Sequence, residues 1–135
     1  MHNKMIQEIS QKTKDKYQFF GINGLTKRFR LACLSGRLDI IHYLLTSTDL
    51  KQNVDIHTGD DFAFRMACKK GYLEVVQYLV ESPELKEHAN IHVYKDIGFR
   101  QSMENGYSNI FNYLLKFKLD EDLKVNEAKK KQIKV

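Results

Sequence analysis

Apolar and polar positions along this chain follow a pattern that returns every 35 residues. The segment that begins at Phe29 runs on to Gly36, and matching segments begin at Phe64 and at Phe99. Over windows of 17 residues, the first and second copies share eight identical positions, and the second and third copies share six. A fixed period of this length is typical of stacked repeat arrays, in which each unit has an apolar face that only its neighbours cover. The pattern therefore predicts a row of similar units.

Each unit reads as two short helices. The first helix has apolar residues at positions i, i+3 and i+4, as in Phe64, Ala67 and Cys68. We expect it to begin after a capping side chain and to end at a glycine in the left-handed conformation. The capping positions are Thr26, Asp61 and Asp96, and the glycines are Gly36, Gly71 and Gly106. The apolar stripe of the second helix is Leu38, Ile41, Leu44 and Leu45 in the first unit, and Leu73, Val76, Leu79 and Val80 in the second.

The period also sets the boundaries of the units, which we assign to one all-α domain of residues 1–135. Residues 3–20 are expected to form an N-terminal half-repeat that caps the row. Three repeats follow at 21–53, 54–88 and 89–119, and residues 120–135 are expected to form a short capping helix that frays into a basic tail. The connector after the second helix contains Ser82-Pro83, a pair that suits a short helical turn with serine as its cap.

Charge is concentrated at the ends of the chain. The net charge is +5, yet residues 21–115 carry eleven basic and eleven acidic side chains. Residues 116–135 carry seven lysines against four acidic residues. Such a tail either contacts nucleic acid or an acidic partner, or is simply solvated, and composition leaves both readings open. We expect an intracellular protein without a membrane span, because no stretch has the apolar length of a span or of a secretory signal.

Motifs of catalysis do not occur in the sequence. It has no glycine-rich phosphate loop, no nucleophile elbow and no Cys-x-x-Cys pair, so we expect a protein that is not an enzyme and that holds no metal or cofactor. Cys33 and Cys68 stand at the same repeat position and are expected to be buried as small apolar residues. His57 and His92 also recur in register, and we expect them to satisfy backbone groups in a turn.

A recurring arginine has two interpretations. Arg30, Arg65 and Arg100 stand one period apart. They either line a groove that holds an acidic partner, or bind a carbonyl or carboxylate group of a nearby turn.

Residues 64–80 resemble the helix-turn-helix of an ankyrin repeat. The family pattern has two small residues, then Gly-His, a paired valine and a Leu-Leu pair, and this chain places Ala67-Cys68, Gly71-Tyr72, Val75-Val76 and Leu79-Val80 there. The resemblance covers about residues 3–119. This variant of the repeat is similar to those of the multicopy ankyrin proteins of giant viruses of amoebae. The chain departs from the family's Thr-Pro-Leu-His tetrapeptide, because residues 62–65 read Phe-Ala-Phe-Arg.

The resemblance implies an α-solenoid whose helix pairs are joined by short hairpin-like turns. It also implies a protein that binds another, folded protein along the concave face made by turns and first helices. The implied contact residues are Asn23, Leu25, Leu34, Ser35, Thr58, Asp60, Lys69, Lys70, Tyr94, Lys95, Glu104 and Asn105. The expected partner is a protein; we expect no small-molecule substrate and a monomer, in the host cytoplasm if the chain is viral. Two alternatives remain: binding of nucleic acid or an acidic partner through the basic tail, and a repeat protein without a dedicated partner.

Overall fold

The computed structural model describes residues 21–133, and within this range every regular element is a helix. The helices are α1 (Ile22–Ser35), α2 (Leu38–Thr46), α3 (Thr58–Lys70), α4 (Leu73–Glu81), α5 (Val93–Glu104) and α6 (Ser108–Ile133). The all-α class is confirmed for this part of the chain. The predicted half-repeat at residues 3–20 lies outside the described residues.

Each helix pair is joined through a glycine in the left-handed conformation. The φ angles are 67° at Gly36, 84° at Gly71 and 76° at Gly106, so the predicted turn geometry is confirmed in all three units. In the first two units the backbone N–H after the glycine donates to the carbonyl of Ala32 or Ala67, which closes the helix end.

The first helices of successive units pack on one another. α1 packs against α3 and α3 against α5, while each first helix also packs against the second helix of its own pair. Small side chains permit this approach: Ala67 and Cys68 are fully buried, and a Cβ atom built on Gly98 would lie 2.9 Å from the Cys68 sulfur. Burial of both cysteines is confirmed and raises the pKa of each thiol to about 12. The core therefore runs between units rather than within one unit.

The second helices and connectors repeat the same geometry. Ile41, Leu44, Val76 and Leu79 of the predicted stripes are fully buried. The N–H of Val54 donates to Leu44 and that of Ala89 to Leu79, which ties each connector to the helix before it. Ser82 begins a turn, because its hydroxyl accepts the N–H of Glu84 at 3.3 Å, but no helix forms there.

The prediction that Thr26, Asp61 and Asp96 cap the first helices is wrong. Thr26 lies inside α1, and its hydroxyl donates to the carbonyl of Ile22 instead of capping a helix start. Asp61 and Asp96 lie in left-handed turns, and their carboxylates bind histidines.

The prediction of a short C-terminal helix is also wrong, because α6 runs on without a break for 26 residues. Among the described residues, no helix combines the length and apolarity that crossing a membrane requires.

Candidate interaction surface

A left-handed turn precedes the regular part of α3 and recurs before that of α5. Gly59, Asp60 and Asp61 have φ angles of 65°, 56° and 57°, and the corresponding residues 94–96 have φ angles of 50°, 53° and 60°. Glycine and aspartate tolerate this conformation, whereas Tyr94 and Lys95 are strained by it. We call the two segments 58–61 and 93–96 the turn edge.

The recurring arginines hold this edge in place. Arg65 donates from Nε to the carbonyl of Asp60 at 3.0 Å and from Nη2 to that of Gly59 at 2.9 Å. Arg100 makes the same two bonds to Lys95 and Tyr94, at 3.1 and 3.0 Å. These carbonyls belong to residues in the left-handed conformation, and the guanidinium groups give each of them a charged hydrogen-bond donor. The structural interpretation of Arg65 and Arg100 is therefore confirmed.

The histidines fix the same edge from the other side. His57 and Asp61 form a hydrogen bond of 3.0 Å between Nδ1 and Oδ1, and the same Asp61 oxygen accepts the N–H of Asn90 from the next unit. His92 and Asp96 repeat the first bond at 2.7 Å. The aspartate partner raises the pKa of each histidine. The expectation that these histidines satisfy backbone groups is wrong, because carboxylates are their partners.

Tyr94 is the aromatic residue of the turn edge, and half of its surface is accessible. Its hydroxyl donates to the Asp60 carboxylate, which raises the pKa of Tyr94. Its ring lies 5.1 Å from the guanidinium carbon of Arg65. Asp60 thus holds the hydroxyl group of Tyr94, and Arg65 makes a cation–π contact with the face of its ring. A contact residue that is already ordered loses little rotamer freedom when a partner binds.

The opposite ends of the first helices form a second exposed row, which we call the loop edge (residues 34–35, 69–70 and 104–105). Asn105 donates from Nδ2 to the carbonyl of Lys69 at 3.1 Å, and Tyr72 donates from its hydroxyl to that of Leu34 at 3.0 Å. These bonds tie each loop to the preceding one. About nine residues of helix separate the two edges, a distance of roughly 14 Å.

Ten of the twelve contact residues expected from the sequence are exposed. They are Asn23, Leu34, Ser35, Asp60, Lys69, Lys70, Tyr94, Lys95, Glu104 and Asn105. Thr58 is half-buried, and the placement of Leu25 is wrong because its side chain is 3% exposed and belongs to the core. The first unit departs from the others here, since α1 begins at Ile22 and has no left-handed turn.

Sequence reasoning missed residues between the two edges. Leu31 is 50% exposed and stands one helical turn before Leu34. Its repeat equivalents, Met66 and Gln101, are half-buried. The difference of this position between the three copies could have predicted an exposed residue. Leu31 and Met66, however, also fit the apolar stripe of a helix. The left-handed turn itself gave no signal, since Tyr94 and Lys95 do not favour it.

One group of side chains has the composition of a metal site. Potential ligand atoms of Asp55, His57 and Glu87 all lie within 4.8 Å of one another. They would offer one imidazole nitrogen and two carboxylate oxygens. The two carboxylates also act on His57 as negative charges that raise its pKa, after the larger effect of Asp61. Asp55 also accepts the backbone N–H of His57 at 2.8 Å, which holds it beside this histidine.

Comparison of the chain with protein-family models, with curated proteins and with solved structures found no match.

Proposed function

We propose that this chain is an ankyrin-type solenoid that acts as a non-catalytic protein–protein interaction module. The proposal is supported by three helix pairs one period apart, by their left-handed glycine turns and by the packing of successive first helices. Tyr72 stands where the family pattern has histidine, and its hydroxyl reaches the carbonyl of Leu34 in the preceding unit. A folded partner would dock along the turn edge, the loop edge and the helices between them.

The observation that carries the proposal is the exposure and immobilisation of Tyr94. Aromatic side chains are over-represented among the residues that dominate binding energy. Tyr94 is fixed by Asp60 and Arg65, both from the preceding unit, so the contact surface extends across a junction between units. Such a preformed surface binds without large rearrangement.

The experiment compares proteins that the chain captures from a host-cell lysate, quantified by mass spectrometry. Tyr94→Ala removes the anchor and Lys69→Glu reverses a charge on the loop edge. Lys86→Glu is the matched control, because Lys86 is an exposed lysine in a connector and belongs to neither edge. We expect specific proteins to be recovered by the wild type and the control and lost by at least tenfold with Tyr94→Ala. Recovery of identical proteins by all four would remove the proposed surface.

Binding of nucleic acid through the tail has weaker support. The lysines at 124 and 129–131 are exposed on α6, but residues 119–131 carry four acidic residues against these four lysines. A neutral segment gives no strong electrostatic attraction to phosphates. Binding of labelled DNA that weakens steeply with salt and vanishes on deletion of residues 120–135 would favour this alternative.

A further inference from the structure

The last helix differs from its counterparts in length and in what it leaves uncovered. α2 and α4 have nine residues each, whereas α6 has 26. Every side chain at residues 119–131 is exposed, and Leu119 and Leu123 have accessible fractions of 54% and 60%. We call residues 119–131 the α6 extension. Packing on the body of the chain does not explain two exposed leucines one turn apart.

Charges in the α6 extension are arranged antisymmetrically about the centre of residues 120–131, between Val125 and Asn126. Each charged residue has a residue of opposite charge at the same distance on the other side of that centre. The pairs are Asp120 with Lys131, Glu121 with Lys130, Asp122 with Lys129, and Lys124 with Glu127. Two copies in antiparallel orientation therefore bring each charged residue to the same level along the helix axis as one of opposite sign, while two parallel copies in register bring like charges to the same level.

The helical positions of these residues fit the same arrangement. Leu119, Leu123, Asn126 and Lys130 fall on one stripe, at i, i+4, i+7 and i+11. Asp120 and Lys131 lie on one flank of that stripe, and Asp122 and Lys129 lie on the other. In an antiparallel helix pair, flanks of the same side meet, so Asp120 faces Lys131 and Asp122 faces Lys129 across the seam. Glu121 lies on the opposite face of the helix, where it contacts His92 of its own chain.

We infer that the α6 extension pairs in antiparallel orientation with the α6 extension of a second copy of this chain. Leu119 and Leu123 lie in the seam, and the antisymmetric charges fix the orientation. The helices that precede residue 119 lie at opposite ends of the pair in the two copies, because the orientation is antiparallel. Only about 20 Å of helix pairs in this way, so the dimer is weak and depends on salt. It replaces the expected monomer and does not rest on the proposed function.

Ion pairs within one helix are the alternative explanation of the charges. Asp120 with Lys124 and Glu127 with Lys131 are spaced at i, i+4, which stabilises an isolated helix. Lys129 has no acidic residue three or four positions away on either side. Pairing within a helix thus leaves Lys129 without an acidic neighbour, whereas pairing between copies places Asp122 opposite it.

Sedimentation equilibrium of the full chain at low salt tests the pairing. We expect Asp120→Lys/Asp122→Lys and Lys129→Asp/Lys131→Asp each to weaken dimerisation about tenfold or more, because like charges then face each other. The quadruple variant, which has all four changes, restores complementarity and should dimerise within about threefold of wild type. An equimolar mixture of the two double variants should do the same. These variants spare Glu121, which contacts His92 at 2.8 Å.

Several outcomes would overturn the inference. A wild-type chain that stays monomeric at about 1 mM would do so, since even a weak interface populates a dimer there. Double variants that dimerise as well as wild type would remove the charge argument, as would a quadruple variant that does not recover. Circular dichroism of each variant confirms that the helices remain folded.

Disulfide formation tests the orientation. In the antiparallel pair, Asn126 of one copy lies next to the centre of the other, so Asn126→Cys is within reach of its counterpart. Two Leu119 residues lie about 20 Å apart, so Leu119→Cys is not. We expect rapid cross-linking of Asn126→Cys alone, and the native Cys33 and Cys68 are buried. Equal cross-linking at both positions would exclude the antiparallel arrangement.

Discussion

Two glycines in the same turn geometry give a direct measure of the packing between units. Gly71 and Gly106 have φ angles of 84° and 76°. A Cβ atom at Gly71 would lie 2.7 Å from Cε1 and 2.9 Å from Cζ of Tyr107 in the next unit. A Cβ atom at Gly106 would meet nothing within 4 Å. Gly106→Ala therefore measures only the cost of the left-handed conformation. Gly71→Ala measures that cost together with the contact between Gly71 and Tyr107 of the next unit.

The expected destabilisation follows from these two contributions. A left-handed conformation costs an alanine about 1–2 kcal/mol relative to glycine, and this cost applies at both sites. Overpacking adds about 1–3 kcal/mol at Gly71. The Tyr107 ring is half-buried and has room to move outward. The cost of overpacking at Gly71 should therefore lie near the lower end of this range. We expect Gly71→Ala to be more destabilising than Gly106→Ala by about 1 kcal/mol.

The assay is equilibrium unfolding in urea, followed by circular dichroism. Tyr107→Ala completes a double-mutant cycle, because removing the ring should remove most of the extra cost of Gly71→Ala. If Gly71→Ala and Gly106→Ala lower the free energy of unfolding equally, to within about 0.5 kcal/mol, the close approach of Tyr107 to Gly71 is not present in solution.

Two further predictions concern the α3–α5 junction and the turn-edge histidines. Gly98→Ala should destabilise the chain by about 1 kcal/mol, although alanine favours a helix, because its Cβ would lie 2.7 Å from Cε2 of Phe64. In urea unfolding, the additional change Phe64→Leu should reduce this cost. If Gly98→Ala alone stabilised the chain, the close packing of Gly98 against Phe64 would be contradicted. His57 and His92 have pKa values raised above 6.5 by carboxylate partners. Their contribution to stability is therefore complete below about pH 6.5 and is lost as the pH rises through the raised native values. The free energy of unfolding measured from pH 5 to 9 should show this loss in the wild type, and a slope that persists in the His57→Gln/His92→Gln variant would assign it to other groups.

The repeat period predicted most of the secondary structure because the signals were local and present three times. Gly36, Gly71 and Gly106 each combine a helix end with a residue that adopts positive φ without a steric clash. Helical spacing of apolar residues likewise predicted the buried faces of α2 and α4. The aspartates were misassigned as caps because a carboxylate before a helix is a common cap, while the competing histidine partner lies four residues earlier.

The sequence by itself determined the helix pairs, their turns and their all-α class, since these depend on contacts within a few residues. Tertiary structure decided how the units meet. The position of Tyr94 follows from Asp60 and Arg65 of the preceding unit, and Asp61 binds the N–H of Asn90 in the following one. A side chain held by residues about 30 positions away has no local pattern that reveals it. The same reason explains why Leu25 was expected at the surface and lies in the core.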